Sequence, residues 1–378
     1  AKQYIKKAFE LKDKLTEVEN YLITADYLRF NENYDDAIKA YKSVLKIQPD
    51  NWVANNNLAV IYNTYEEHEK ALELYETNRN HGDDHVQTYF RLADKYAALG
   101  EYQKSIEALD DYLNKFSDNA RIHRWLSLIY AVTGEYDHSL IEVDRALSLD
   151  QTTSIDKGPI YHLQGDFEAA ENDYKSWLER EEIGWKMNGR RYLECLYRMQ
   201  GQYEKAKKEA QAGLKSAEEI NHTNWKRIFN ELIASHDFSE GNWEGVLEKA
   251  DFILDSAIKD GIPGWQTNAL WWNILVCLEQ DDIDNAQTLA FELKKLLDNT
   301  PSKKDIRWYL NNLGLIEMKK KNYLKATDLF TQAFELQGGQ RSWIEPHAYI
   351  LNNLASAYYQ GGNLDAARKE YENILALT

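Results

Sequence analysis

Cysteine and proline are both scarce in this chain of 378 residues, and their scarcity narrows the possible folds. The two cysteines, Cys195 and Cys277, each lie in an apolar stretch with helical character, so a dense disulfide framework is excluded. We expect two buried free thiols, although the sequence leaves a single disulfide between them open. With only 5 prolines and 18 glycines to interrupt it, the composition favours helix over strand.

The sequence also lacks long apolar runs and targeting segments. No run reaches the roughly 18 apolar residues that a membrane-spanning helix needs, and no signal-peptide pattern is present. The chain begins without methionine and inside a helical pattern, so we interpret it as a piece of a longer protein. Its location therefore stays open: cytoplasmic, or extracytoplasmic if a membrane segment precedes it.

The familiar motifs of catalysis and cofactor binding are missing. The sequence has no HExxH, no phosphate-binding loop, no GxSxG and no CxxC. One cluster with a metal-like composition, at residues 81–85, falls in a polar turn where such residues are common. We predict no catalytic residue, no cofactor and no metal in these residues. The chain itself is therefore predicted not to be an enzyme, whatever the activity of its parent protein.

Basic residues are outnumbered: 45 lysines and arginines face 62 aspartates and glutamates, which gives a net charge of −17. A field of this sign repels phosphate backbones and anionic lipid headgroups. Direct contact with nucleic acid or with a membrane is therefore not expected. At 43% hydrophobic and 28% charged residues, the chain has the composition of a folded protein.

What the sequence does contain is an internal repeat. Small or β-branched residues recur at spacings of 34, 34, 34, 31, 36, 40, 40, 40 and 41 residues. This small-residue column consists of Ala37, Ala71, Ser105, Ser139, Ala170, Ala206, Val246, Ala286, Ala326 and Ala367. In six repeats a glycine stands five residues before the column, where it can end a helix in the left-handed conformation. Tyrosine or phenylalanine stands four residues after it in five repeats, as expected for a side chain that fills the gap between helix pairs.

This pattern resembles the tetratricopeptide repeat, as repeat two illustrates with Leu58, Ala59, Tyr62, Ala71 and Tyr75. The resemblance extends over nearly the whole chain. It implies an all-α fold, a right-handed α-α superhelix (a tetratricopeptide-repeat solenoid) of about ten helix-turn-helix repeats. It also implies a concave groove, lined by the first helix of each repeat, that holds a protein or peptide.

One repeat departs from the pattern. Pro159, next to Gly158, falls within the expected first helix of repeat five, where the spacing drops to 31 residues. We predict that this helix is short or broken, and that later helices are longer by roughly a turn and a half. The expected divisions are an N-terminal helix or half repeat over 1–17, a regular array over 18–150, a degenerate seam over 151–186 and a longer-period array over 187–378.

Groove positions follow from the register of the first helices. The predicted ligand-contacting residues are Asn56, Asn57, Arg91, Arg121, Arg124, Trp125, Arg191, Tyr192, Trp271, Trp308, Asn311, Asn312, Asn352 and Asn353. Asparagines can pair with the backbone of an extended peptide, and arginines can bind carboxylates bidentately. The alternatives are a solvated polar face for the asparagines, ion pairs with the chain's own acids for the arginines and a core role for the tryptophans.

The leading functional prediction is a scaffold or sensory module that binds a partner with acidic side chains or a free C-terminus. The alternative comes from a narrower resemblance of residues 9–11, 15–19 and 23–27 to bacterial signalling proteins, in which an effector domain precedes a repeat region. It implies the regulatory arm of a signalling enzyme, such as a serine/threonine kinase or cyclase, whose catalytic domain lies outside these residues.

Overall fold

A computed structural model describes residues 2–82, 85–150, 156–337 and 346–375, and within these ranges the chain forms helices and no strands. The α-helices are α1 Lys2–Glu10, α2 Glu17–Phe30, α3 Tyr34–Ile47, α4 Trp52–Thr64, α5 His68–Asn80, α6 Val86–Ala98, α7 Tyr102–Lys115, α8 Ala120–Val132, α9 Tyr136–Leu149, α10 Gly158–Gln164, α11 Phe167–Leu178, α12 Ile183–Met199, α13 Tyr203–Glu219, α14 Thr223–Ser239, α15 Trp243–Asp260, α16 Pro263–Glu279, α17 Ile283–Leu297, α18 Ile306–Lys319, α19 Tyr323–Glu335, α20 Pro346–Gln360 and α21 Leu364–Leu375. Two 3₁₀ turns, Lys12–Lys14 and Lys303–Asp305, precede α2 and α18.

The helices after α1 form ten consecutive pairs, from α2 with α3 to α20 with α21, and each pair packs on the next. One pair cannot bury its apolar face alone, so the stack is the folding unit. The predicted all-α solenoid of about ten repeats is confirmed. Asp83 and Asp84, in the polar turn at residues 81–85 where no metal site is predicted, and residues 151–155 of the predicted seam lie outside the described residues.

The small-residue column marks the closest approach of the two helices within each repeat. All ten of its side chains are at most 3% exposed. The aromatic residues one turn later fill the adjoining space, and Tyr41, Tyr75, Tyr174 and Phe330 are fully or almost fully buried. Any larger side chain in the column would push a helix pair apart, since folded interiors are close-packed.

The turn inside each repeat requires a left-handed residue. Five residues before the column, the backbone has a positive φ in all ten repeats, at Glu32, Glu66, Gly100, Gly134, Gly165, Gly201, Gly241, Asp281, Lys321 and Gly362. Six of these are glycine, as predicted. The other four adopt the same conformation with a Cβ present, which costs roughly 1–2 kcal/mol per residue.

Replacing such a residue by glycine should therefore stabilise the fold. We expect Lys321→Gly, at φ 61°, to raise the free energy of unfolding by about 0.5–1 kcal/mol, since relief of the left-handed strain exceeds the added chain entropy. Gln332→Gly, on the exposed side of α19, should instead lower it by about 1 kcal/mol. Thermal unfolding followed by circular dichroism measures both variants, and a Lys321→Gly protein that melts below wild type would contradict the strain argument.

Helix length changes along the chain. The helices α12 to α16 have 17 or 18 residues against 13 or 14 in α2 to α9, so the predicted lengthening is confirmed there at about one turn. It is wrong for α18 and α19, which return to 14 and 13 residues. In that part of the chain the longer repeat spacing is taken up by the connections before α18 and α20.

The first helix of repeat five is short, as predicted. The helix α10 has seven residues, and Pro159 stands in its first turn, not in its interior. Proline suits that position because the first backbone N–H groups of a helix have no internal partner. The proline thus begins a short helix and does not kink a long one.

Neither Cys195 nor Cys277 forms a disulfide bond, and both side chains are half-buried where we expected buried thiols. Burial raises the pKa of the Cys277 thiol.

Candidate functional site

The first helices of the repeats form one side of the stack. Four pairs of successive first helices contact each other directly, namely α2 with α4, α6 with α8, α16 with α18 and α18 with α20. No second helix makes a comparable contact with another second helix in the described ranges. Because the inner side of a curved stack has the shorter spacing, the first helices form its inner wall.

Four arginines on this wall have no carboxylate partner in the part of the chain that the structure describes. Arg91 lies on α6, Arg121 and Arg124 on α8, and Arg191 on α12. No carboxylate oxygen among the described residues lies within 4.0 Å of any of them, although acidic residues outnumber basic ones. Within the described ranges, the alternative of ion pairs with the chain's own acids is therefore wrong for all four. It is correct for Arg198, whose Nε lies 3.1 Å from Glu194.

Aromatic rings hold three of the four guanidinium groups. Arg91 donates a hydrogen bond of 2.8 Å to the Tyr75 hydroxyl. Arg121 lies 5.0 Å from the centre of the Phe90 ring, and Arg191 lies 4.9 Å from that of Tyr192. A guanidinium group stacked on a ring keeps its edge N–H groups available, so these arginines can still bind a carboxylate.

The predicted groove residue Trp125 connects two of the first helices. Its ring centre on α8 lies 4.7 Å from that of Phe90 on α6, and the side chain is half-buried. The tryptophan therefore supports the ring on which Arg121 rests.

A cavity of about 450 Å³ lies beside these arginines where repeat five departs from the pattern. The short helix α10 lies between α8 and α12 and leaves the space open. This repeat-5 cavity is lined by Arg124, Ser127, Leu128, Asp156, Pro159, Ile160, Trp177, Glu182, Gly184, Trp185, Asn188 and Tyr192. It brings together Arg124 and Tyr192, which the sequence predicted as ligand contacts, with ten residues that it did not predict as such, among them Pro159.

One side of the cavity is a cluster of rings. Trp177 lies at the centre, with ring-centre distances of 5.1 Å to Trp185 and 5.5 Å to Tyr192. Tyr174 stacks on Tyr192 at 5.0 Å, and its burial raises the pKa of its hydroxyl. These contacts fix the aromatic wall in place before any ligand arrives.

The charges of the cavity are partly compensated from within. Asp156 lies 2.8 Å from the guanidinium group of Arg180, which in turn lies 3.9 Å from the centre of the Trp185 ring. Burial raises the pKa of Asp156, and the neighbouring Arg180 opposes that shift. Glu182 and Arg124 are both exposed and have opposite charges. The cavity therefore offers aromatic surface without a strong excess of either charge.

The sequence pattern that defines the tetratricopeptide repeat matches residues 24–78, 90–152 and 311–377. Together with the ten stacked helix pairs, this match decides the family. The chain belongs to the tetratricopeptide-repeat family. Arrays of these repeats are typically non-catalytic scaffolds for protein interaction, and the repeats of this chain indicate a protein-interaction scaffold.

Several solved structures are similar to this chain. The apo form of RapI is 13% identical, with a TM-score of 0.43, and the alignment covers 84% of this chain and 97% of that one. A tetratricopeptide repeat protein from Parabacteroides merdae is 13% identical with a TM-score of 0.39, covering 90% and 98%. A thermophilic one from Thermus thermophilus is 23% identical with a TM-score of 0.37, covering 47% and 98%. No curated protein matches the chain significantly.

The asparagines of the late tetratricopeptide repeats are not available to a ligand. Asn311 is 0% and Asn312 1% exposed, and Asn353 is also buried. Asn353 donates a hydrogen bond of 3.0 Å to the Asn311 side chain, and Asn312 donates one of 2.8 Å to the Trp308 carbonyl. The prediction that these three contact a peptide backbone is wrong. Their side chains are buried and form hydrogen bonds within α18 and between α18 and α20.

The remaining asparagines are more accessible. Asn352 is exposed on α20, while Asn56 and Asn57 are half-buried on α4. Asn57 donates a hydrogen bond of 2.9 Å to Asp26, and Asn56 donates one of 3.1 Å to Asn57. Ligand contact by these three stays a prediction.

The predicted groove tryptophans Trp271 and Trp308 both have structural contacts. Trp272, next to Trp271 in the sequence, is buried in the core. Trp271 donates a hydrogen bond of 3.1 Å to the Tyr349 hydroxyl and is half-buried. Trp308 is half-buried and packs against the core of α16 to α18. Ligand contact by Trp271 and Trp308 stays a prediction.

Hydrogen bonds connect two repeats that are far apart in the sequence. The guanidinium group of Arg307, at the start of α18, donates hydrogen bonds of 2.7 and 2.8 Å to the Glu66 carboxylate, in the turn between α4 and α5. Lys304 donates one of 2.8 Å to the Glu66 carbonyl. These three residues, which we call the clasp, join repeat two to repeat nine across 241 positions of sequence.

None of the helices in the described ranges is both long and apolar enough to cross a bilayer. The described residues also contain no group of three or more histidine, cysteine, aspartate or glutamate side chains placed to hold a metal ion.

Proposed function

We propose that this scaffold binds an acidic, extended segment of a partner protein along its inner wall. Arg91, Arg121, Arg124 and Arg191 would receive the carboxylates of that segment, which come from its acidic side chains or from a free C-terminus. The observation that carries the proposal is that these four arginines have no carboxylate partner among the described residues, in a chain of net charge −17.

Two features of the wall support this choice of partner. Eight of the nine other described arginines pair with the chain's own carboxylates, namely Arg29, Arg145, Arg180, Arg190, Arg198, Arg227, Arg307 and Arg368. The four guanidinium groups on the wall therefore stand out against the rest of the molecule. The stacked rings also reduce the side-chain entropy lost on binding, which favours affinity.

Charge reversal on α8 tests the proposal. We expect Arg121→Glu with Arg124→Glu to weaken binding of a fluorescein-labelled peptide of alternating glutamate and glycine by about tenfold or more, because two attractions become repulsions. The same peptide with lysine in place of glutamate should not bind wild type. Fluorescence anisotropy at physiological salt measures both affinities.

A matched control separates local contacts from net charge. Arg145→Glu with Arg368→Glu changes the net charge by the same amount at exposed positions on α9 and α21, both second helices. This variant should bind the glutamate peptide nearly as well as wild type. Equal weakening in the two double variants, or equal binding of the lysine peptide, would show that the wall arginines do not form the site.

A further inference from the structure

The repeat-5 cavity occurs at the irregular repeat, and it adjoins two of the four arginines that have no carboxylate partner among the described residues. Arg124 is one of its lining residues, and Arg191 stacks on Tyr192, which is another. A segment bound to these arginines would therefore pass over the cavity. Its volume of about 450 Å³ is within the range of cavities that hold small ligands.

We propose, on the basis of the function proposed above, that the cavity receives one large aromatic side chain of the bound acidic segment. Trp177, Trp185 and Tyr192 form its aromatic wall, while Leu128 and Ile160 add apolar surface. Aromatic pairs gain from offset or edge-to-face contact beyond the area they bury. A short aliphatic side chain would leave most of the space unfilled.

One polar group of the cavity, the Asn188 side chain, favours an aromatic side chain with a hydrogen-bond donor. The Asn188 amide nitrogen donates a bond of 3.0 Å to the Gly184 carbonyl, so its side-chain oxygen is the group left to accept one from a ligand. An indole N–H or a phenol O–H can supply that donor. A cationic side chain gains little, because Asp156 already pairs with Arg180 and the exposed charges of Glu182 and Arg124 are opposite in sign.

The neighbouring charges then place the ligand's acidic residues. With the aromatic side chain in the cavity, carboxylates on either side of it in the segment would meet Arg124 of α8 and Arg191 of α12. The recognition motif is therefore a tryptophan or tyrosine flanked by aspartate or glutamate.

Scanning peptides test this motif. The probes are fluorescein-labelled peptides of alternating glutamate and glycine, in which a single tryptophan occupies each glycine position in turn. We expect at least one position to strengthen binding by about ten- to a hundredfold over the parent peptide, as burial of a large apolar side chain predicts.

A blocking variant assigns that gain to the cavity. Gly184 lines it, and a Cβ there would meet no atom within 4 Å, so the backbone accepts a side chain at this position and Gly184→Leu should reduce the space. This variant should lose the preference for tryptophan. Gly264→Leu is the matched control, since Gly264 is also the second residue of its helix and is equally unobstructed, but lies on α16. It should keep the preference.

The outcomes distinguish the two proposals. If the glutamate peptides bind but no tryptophan position improves affinity, or if Gly184→Leu keeps the preference, the cavity proposal is wrong and the acidic-segment proposal stands. If no acidic peptide binds wild type, both fail. If N-acetyltryptophan amide alone binds as tightly as the best peptide, the cavity serves a free small molecule and the proposed anchoring role is overturned.

Discussion

Replacing Gly213 by alanine should destabilise the protein by about 1–3 kcal/mol, although the same change inside most helices gains about 1 kcal/mol. Gly213 lies in the middle of α13, where a Cβ would stand 2.1–2.5 Å from three carbon atoms of the Phe229 ring. Phe229 is fully buried against Met187 and Ala217, so the ring has no free space into which it can move. Overlap with a confined ring therefore outweighs the gain in helix propensity.

Chemical denaturation of three variants checks this expectation. Gly264→Ala, where a Cβ meets nothing within 4 Å, should change stability little or raise it. Adding Phe229→Leu to Gly213→Ala should cost less than the sum of the two single changes, because the smaller side chain relieves the overlap. Strict additivity, or a Gly213→Ala protein as stable as wild type, would show that the two helices separate at little cost.

Reversing the charge of Arg307 should part repeats two and nine. In the clasp, the Arg307 guanidinium group is paired bidentately with Glu66, and both side chains are largely shielded from water. Charge-assisted hydrogen bonds of this kind contribute about 1.5–3 kcal/mol, and Arg307→Glu would set two carboxylates against each other. Asp305, which lies 3.8 Å from Arg307 and whose pKa is raised by burial, would add to the repulsion.

Small-angle X-ray scattering measures the result as an increase in the radius of gyration. The exchanged pair, Glu66→Arg with Arg307→Glu, should return the radius toward that of wild type, since it restores opposite charges at the same place. Arg368→Glu, an exposed change on α21, should leave it unchanged. An unchanged radius in Arg307→Glu would mean that packing within the stack holds the two repeats together without the clasp.

The repeat architecture could be predicted from the sequence because the same residue pattern recurs in each repeat. The small-residue column predicted ten positions, and all ten are buried in the structure. The left-handed turn was predicted from six glycines only. The same turn at Glu32 and Lys321 could not be predicted, because glutamate and lysine do not by themselves indicate a left-handed backbone conformation.

The inner wall was harder to predict, for two physical reasons. A shift of one residue turns a helical side chain by about 100°, so register alone could not separate buried Asn353 from exposed Asn352. Whether Arg124 has an ion-pair partner depends on side chains from other helices, which the sequence does not place. For the cavity, the sequence contained one indication, the shortened repeat spacing around Pro159. For the clasp between Glu66 and Arg307 it contained none.

The seven-residue helix α10 also affects how the array comes apart. In a stack, each repeat is stabilised mainly by its two neighbours, so cooperativity is weakest where the shared interface is smallest. The helix α10 offers less than two turns to α9, where other first helices offer more than three. Local opening at repeat five therefore costs less free energy than at the repeats around it, and anything that fills the cavity would remove that weak point.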